Sequence, residues 1–280
     1  MIEVIKTGLY SSVQDKGRFG FENFGIPISG SMDQFSSYLS NKLLNNNEDA
    51  AVMEITMTGP VLKFHNKTKI SITGADISPK LNNNPIRLNR AHSIKKDDIL
   101  SFGKLKYGIR SYLSVLGGFL TKEVMKSRSM YANITESFRI VKGEYLKISS
   151  KKSMNTNSLI TQFEYLDHFK SNEIKVYKGP EFDRLLKNEK NDIFKNQFTI
   201  SNDNNRMAFQ LKEIFKNQLK PIITSLVMQG TVQLTPSGKI IILMRDNQTC
   251  GGYPRILQLT ENAINRLSQK HMNNKIKFIL

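Results

Sequence analysis

The chain is poor in the residues that usually advertise chemistry. It has a single cysteine, Cys250, so no internal disulfide can form, and the composition fits a reducing cytoplasm. No histidine lies near Cys250 in sequence, and a small buried or half-buried thiol is the expectation there. The four histidines, His65, His92, His168 and His271, stand far apart with no metal-ligand spacing, and each reads as a surface or hydrogen-bonded side chain. Gly238-Lys239 falls short of a phosphate-binding loop: Gln233 stands where that motif needs glycine, and Ile240 where it needs serine or threonine. No Gly-x-Ser-x-Gly nucleophile elbow occurs. No apolar run reaches the ~18 residues of a membrane-spanning helix. Met1-Ile2-Glu3-Val4-Ile5-Lys6 opens as an alternating strand rather than a secretory leader. These absences argue against membrane insertion, metal chemistry and serine or cysteine nucleophilic catalysis.

What is abundant is positive charge. Lys and Arg number 41 against 24 Asp and Glu, a formal net charge of +17. The lysines are scattered, however, among asparagine runs at Asn45–Asn47, Asn82–Asn84 and Asn202–Asn205. Aromatic residues do not interleave with them as on a base-stacking surface, so nucleic-acid binding is not expected.

The organising stretch runs from Ile240 to Ile256. Five apolar residues, Ile240 to Met244, end abruptly in Arg245-Asp246-Asn247-Gln248-Thr249 and then Gly251-Gly252-Tyr253-Pro254-Arg255. A buried strand would deliver Arg245, Asp246 and Gln248 to a sheet end, and the glycine pair would let the backbone turn or approach a ligand closely. A tight hairpin with a solvated tip is the plainer alternative.

Along the chain, Glu3 to Leu9 reads as a strand, followed by the Gly-punctuated segment Ser11 to Gly20. There Asp15 and Arg18 can pair locally or converge on a polar guest. Ser31 and Gln34 form a capping-box pattern ahead of a helix whose stripe of Phe35, Tyr38, Leu39 and Leu43 is expected to face the core, with Asn45 to Asn47 as the stop. From Ala51 to Gly118, short apolar runs alternate with turns, which predicts an antiparallel sandwich or barrel. Residues 121–172 are polar and weakly periodic, with Lys151 to Ser158 the most linker-like part. The domains are therefore placed at 1–170 and 171–280. The second half is again strand-rich, at Ile174–Tyr177, Phe198–Ile200, Ile222–Val227, Gly230–Leu234 and Ile240–Met244. Thr235-Pro236-Ser237-Gly238 is a hairpin turn, Glu261–Lys270 a short helix with Ile264 and Leu267 inward, and Ile276–Ile279 a last strand. The fold class is mainly β with few helices.

Polar residues beside glycines or at strand ends make up the candidate site: Asp15, Arg18, Asn205, Arg206, Gln229, Asp246, Gln248, Tyr253 and Arg255. Carboxylate, amide and guanidinium groups together suit binding and polarising a small amide or carboxylate.

Val13-Gln14-Asp15-x-Gly17-Arg18-x-Gly20, Ser29-Gly30-Ser31-Met32-Asp33, Glu54 to Pro60, Thr73-Gly74-Ala75-Asp76, Tyr112 to Gly118, Ser127-Arg128-Ser129, Ser201 to Met207 and Leu243 to Ile256 occur in one order. Together they resemble the biotin-dependent carboxyltransferase family, also called allophanate hydrolase subunit 2, over nearly the whole chain. Met130 and Cys250 stand where that family commonly has threonine. Glu261-Asn262-Ala263 and Met272-Asn273-Asn274 replace its Asp-containing helix start and Pro-Gly-Asp turn.

The resemblance implies a cyclophilin-like β-barrel in the C-terminal part and a cytoplasmic hetero-oligomer. Its partner would be a B-type subunit (allophanate hydrolase subunit 1 type), joined by an A-type subunit in the 5-oxoprolinase members. Those members open 5-oxoproline to L-glutamate with ATP, which would act on another subunit. In urea carboxylase the equivalent module moves a carboxyl group from carboxybiotin to urea, and a third type of member binds a kinase inhibitor. No covalently held cofactor or metal is implied. Carried onto this sequence, the family's signature falls on Asp15, Arg18, Asn205-Arg206, Asp246, Gln248, Thr249 and Gly251 to Pro254. Asp246 would be the proton acceptor or orienting carboxylate, Arg18 or Arg206 the carboxylate anchor, and Gln229 and Gln248 the amide hydrogen-bonders.

Overall fold

The structure, a computed structural model, describes residues 1–149 and 166–280, so the linker-like Lys151 to Ser158 lies outside the described residues. These residues fall into two compact units, one of residues 1–18 and 29–149, the other of 19–28 and 166–280. Among them, no helix is long and apolar enough to cross a membrane.

In the first unit, β1 (Ile2–Lys6), β4 (Val61–Phe64), β6 (Lys80–Leu81), β7 (Asn84–Pro85), β9 (Ile99–Ser101) and β11 (Tyr145–Leu146) form one sheet, in the order β11-β1-β4-β9-β6-β7. The second sheet, ordered β2-β3-β10-β5-β8, holds β2 (Tyr10–Gln14), β3 (Val52–Thr56), β5 (Thr68–Asp76), β8 (Ala91–Ile94) and β10 (Tyr107–Val115). Alternation sets what each sheet buries. Ile2 and Val4 lie opposite Phe64 and Leu62, while Leu113 and Val115 lie opposite Ile72 and Ile70, and all eight join one apolar cluster drawn from both sheets. Each such side chain contributes about 1.5–3 kcal/mol by leaving water.

The reverse face of the second sheet is polar yet equally buried: Ser12, Gln14, Glu54, Ser71, Thr73, Tyr112 and Ser114. Helix α1 (Gln34–Lys42) covers part of this face, and not with the stripe the spacing suggested. Its buried positions are Ser36, Ser37, Leu39, Ser40 and Asn41, while Tyr38 is exposed. Short side chains let the helix approach closely, and the hydroxyls of the sheet bond to it. Ser71 Oγ donates to Ser40 O (2.5 Å), Thr73 Oγ1 to Ser36 O (2.6 Å) and Ser114 Oγ to Asn41 Oδ1 (2.6 Å). Asp33, rather than Ser31, caps the helix by accepting from Ser36 N.

Beside that helix start, Glu54 accepts from Met32 N (2.7 Å) and the Tyr112 hydroxyl (2.9 Å), and the Tyr112 oxygen accepts from Asp33 N (2.8 Å). Burial, then the Glu54 and Asp33 carboxylates, push the Tyr112 phenol well above its ordinary value, so it stays a neutral donor.

The second unit is a closed barrel. Its strands are β12 (Glu173–Lys178), β13 (Phe198–Asn204), β14 (Ala208–Ile214), β16 (Thr231–Leu234), β17 (Lys239–Leu243), β19 (Arg255–Leu259) and β20 (Lys275–Ile279), ordered β12-β19-β16-β17-β14-β13-β20. Closure comes from a parallel β12–β20 pair; the other neighbours are antiparallel. Alternate residues fill its centre, among them Val232, Leu234, Ile240, Ile242, Phe198 and Phe278. Helices α2 (Leu166–Lys170), α3 (Lys187–Lys195) and α4 (Glu261–Leu267) complete the unit, with Ile264 and Leu267 buried as the spacing predicts. Thr260 caps α4 by accepting from Ala263 N, and Asn273 turns the chain at φ 70°, so the substituted helix start and turn are both built locally.

Ile222 to Val227, expected to be a strand, is not one. Only β15 (Ser225–Leu226) pairs, with β18 (Cys250–Gly251), and Ile223 is 95% exposed. The closed barrel offers no edge for another strand, so this apolar run lies outside it as a short ribbon. Cys250 is exposed on that ribbon rather than buried or half-buried, because the ribbon itself is superficial. Of the histidines, His65 bonds Glu3, His92 meets the Arg87 carbonyl and His271 the Met272 carbonyl.

Candidate functional site

At one end of the barrel, β17 runs out into the polar turn that the sequence singles out. The β14–β17 ladder pairs Ala208 with Leu243, and hydrogen bonds continue beyond it, from Met244 N to Met207 O (2.8 Å) and Asp246 N to Arg206 O (2.9 Å). The β13–β14 hairpin loop is thereby held alongside residues 244–246. Asn205 shapes that loop: its Oδ1 accepts from Met207 N (2.7 Å) and Ala208 N (3.0 Å), a side chain standing in for a backbone turn. Arg206 then forks onto Asp246, Nε to Oδ2 at 2.7 Å and Nη2 to Oδ1 at 3.1 Å, with both side chains about nine-tenths buried. Two-point pairing fixes the carboxylate plane as well as its position.

Arg245 forms a second polar knot. It is 1% exposed; Nη1 donates to Gln229 Oε1 (2.7 Å), Nη2 to Asn265 Oδ1 (2.9 Å), and both reach the Glu261 carboxylate at the start of α4. Gln229 returns a bond from Nε2 to Arg245 O (3.1 Å). The Gln229 amide therefore serves Arg245 on both sides.

Arg255 belongs to a third. Its side chain meets Glu181 at 3.0 and 2.9 Å, its backbone N–H adds 2.8 Å to the same carboxylate, and Nη1 donates to Leu226 O (2.9 Å). The Arg255 hydrogen bonds hold the Glu181 carboxyl below its usual range, and the same contact raises Arg255. Glu181, Arg245 and Glu261 were absent from the sequence-derived set. Glu181 directly follows Gly179-Pro180 after a strand, a placement like that of the selected residues, so it was legible there.

Gln248 is exposed, Thr249 half-buried, and Tyr253 41% exposed. At Gly251 a Cβ would lie 2.4 Å from Nε2 of the buried Gln233, whose amide would have to move aside; at Gly252 the nearest atom is 3.6 Å away.

In the first unit, Asp15 and Arg18 both bind the 127–129 segment. The Asp15 carboxylate accepts from Gly17 N (2.9 Å), Ser127 Oγ (2.7 Å), Ser129 Oγ (2.6 Å) and Arg128 N (2.5 Å). Arg18 is fully buried and donates to Ser29 Oγ (3.1 Å) and the Ser129 carbonyl. Met130, the neighbour that departs from the family pattern, is buried with Sδ 3.3 Å from Val13 N. Among the described residues no group of three or more His, Cys, Asp or Glu side chains is placed to hold a metal ion.

The described residues thus hold a closed barrel with an acid–guanidinium pair at its end, and a mainly β unit with a buried polar sheet face. The chain belongs to the family of the carboxyltransferase domain, subdomain A and B, whose profile matches residues 24–280. The 5-oxoprolinase C subunit of Escherichia coli (strain K12) is 29% identical over 287 residues, covering 100% of this chain and 91% of that protein. A urea amidolyase of Lachancea kluyveri is 40% identical over 131 residues, which is 46% of this chain and 7% of that one. The solved structure of the Kluyveromyces lactis urea carboxylase superposes with a TM-score of 0.90 at 27% identity, over 99% of this chain and 27% of its own. These relatives are enzymes or enzyme subunits. The chain spans nearly the whole of the first but only a small part of the other two.

Proposed function

We propose that the chain is the C-type subunit of an ATP-dependent 5-oxoprolinase, opening 5-oxoproline to L-glutamate together with partners of the A and B types. The observation that carries this reading is the match to the Escherichia coli 5-oxoprolinase C subunit, which covers 100% of this chain and 91% of that protein. The ring opening adds water across a lactam C–N bond, so it needs a proton acceptor, a hold on the substrate carboxylate and donors to the lactam oxygen. In this reading Asp246, fixed in plane by Arg206, orients the guest or takes its proton. Arg206 supplies positive charge for the carboxylate, and Gln248, two residues after Asp246, is an exposed amide donor. Thr249, Gly251, Gly252 and Tyr253 border the guest; Asn205, Gln229 and Arg255 hold the surrounding turns. Asp15 and Arg18 act by fixing the 127–129 segment. ATP is handled by a partner. The test is reconstitution: ATP-dependent glutamate release from 5-oxoproline should need this chain and both partners, and release undiminished without this chain would refute the proposal.

A second reading is favoured by the 40% identity with a urea amidolyase over 131 residues. There the same groups would receive urea, and a carboxyl group would come from carboxybiotin on a partner domain. Carboxylation of urea by the chain with a carboxybiotin donor, and no glutamate release, distinguishes it.

A further inference from the structure

The first unit contains a hollow that the proposed chemistry leaves unused. It measures about 220 Å³ and lies between the β1–β2 turn and residues 139–142. That volume is below the ~300–1,000 Å³ of drug-sized pockets, which restricts a guest to a few heavy atoms.

Three features give the hollow a definite chemistry. Its charged lining residues are Arg139 and Lys142, both exposed, and among the described residues no carboxylate lines it. Its lining is divided about evenly between polar and apolar surface, the apolar part coming from buried Pro60 and Ile140, the half-buried ring of Tyr10, and exposed Leu9 and Val141. Ser11, only 5% exposed, lines it as well, and its hydroxyl, shut off from solvent, has no hydrogen-bond partner. A buried polar group in that state is stabilised by any acceptor that reaches it. The frame is also fixed. Gly8 is held so close to β3's following turn that a Cβ would fall 1.9 Å from Thr58 O, and Tyr10 OH donates to Phe138 O (2.9 Å) while Ile140 N donates to Ser11 O (2.8 Å).

We infer that this hollow binds a compact organic carboxylate, its charge between Arg139 and Lys142 and its short apolar part against Pro60, Ile140 and Tyr10. An inorganic oxyanion would satisfy the cations but leave the apolar walls without contact. Two lining cations, with the neighbouring Glu144 carboxylate engaged by Val141 N (3.1 Å), favour an anion through charge-assisted hydrogen bonds, and the exposure of both makes the attraction salt-sensitive.

The experiment titrates the full chain with L-glutamate, 5-oxoproline, butyrate and inorganic phosphate by isothermal calorimetry, at low and at physiological salt. At least one carboxylate should bind saturably and weaken at higher salt. The exposed double variant Arg139→Gln/Lys142→Gln should weaken it by about tenfold or more, and Ser11→Ala should weaken it more modestly. Equal carboxylate binding in the double variant would overturn the inference, as would no saturable carboxylate binding, or phosphate binding tighter than every carboxylate. Thermal unfolding of both variants identifies loss by misfolding. The double variant replaces only exposed groups, so it keeps the question answerable if Ser11→Ala proves unstable.

Discussion

Replacing Asp15 by asparagine exchanges one carboxylate oxygen for an NH2 group in a nest made of donors. The two backbone donors, Gly17 N and Arg128 N, cannot reverse. Nor can the two hydroxyls easily do so, because Ser127 Oγ already accepts from Ser129 N (3.0 Å) and Ser129 Oγ from Asp15 N (3.1 Å). An amide oxygen placed at Oδ1 keeps three donors, but its NH2 then faces Arg128 N–H. Losing one charge-assisted bond costs about 1.5–3 kcal/mol, and the other three weaken further once the charge is gone. Asp15→Asn should therefore destabilise the chain by about 3 kcal/mol, and Asp15→Ala by about 4 kcal/mol. The assay is urea unfolding followed by far-ultraviolet circular dichroism, comparing midpoints at constant slope. An Asp15→Asn protein within about 0.5 kcal/mol of the parent would refute the claim that this carboxylate organises the 127–129 segment.

Other consequences are as specific. Since Arg255 holds Glu181 below the ordinary carboxylate range, the pair's stabilisation is fully present above the unfolded value and is lost as pH falls through the depressed one. Unfolding free energy should fall as pH drops below the ordinary glutamate value of about 4.3, and Glu181→Gln should flatten that dependence while lowering stability at neutral pH. Gly251→Ala forces a Cβ onto Gln233 and should cost about 1–3 kcal/mol in thermal unfolding, whereas Gly252→Ala, with 3.6 Å of clearance, should stay within about 0.5 kcal/mol. Asn205→Ala removes the acceptor of two backbone N–H groups and should cost about 1–2 kcal/mol, with loss of the Arg206–Asp246 geometry visible as a rise in KM of the assembled enzyme.

Much of the fold was legible because turn residues, unbroken apolar runs and helical spacing each leave a local pattern. The turn at Thr235–Gly238, the buried strand before Arg245 and the short helix after Thr260 are examples. The helix after Asp33 was legible as a helix but not in its orientation. Hydrophobic spacing selects Phe35, Tyr38, Leu39 and Leu43, yet the sheet face beneath it is polar, so serines are what fit. Ile222 to Val227 misled for a related reason: local propensity proposes a strand, while barrel closure leaves none of its neighbours an open edge. Within the site, Asp246 and Arg206 lie 40 residues apart in sequence, and it is the β14–β17 pairing that brings them to bidentate contact. Composition gave no sign that Arg245 would turn away toward Gln229 and Glu261, since adjacent residues on a turn carry no rule as strict as strand alternation.

The most direct test of the proposed activity is glutamate release by the reconstituted complex carrying Asp246→Asn, with assembly and folding checked on the same sample. The account predicts an intact complex whose kcat falls by about a hundredfold or more. Unchanged kcat in a fully assembled Asp246→Asn complex would contradict it.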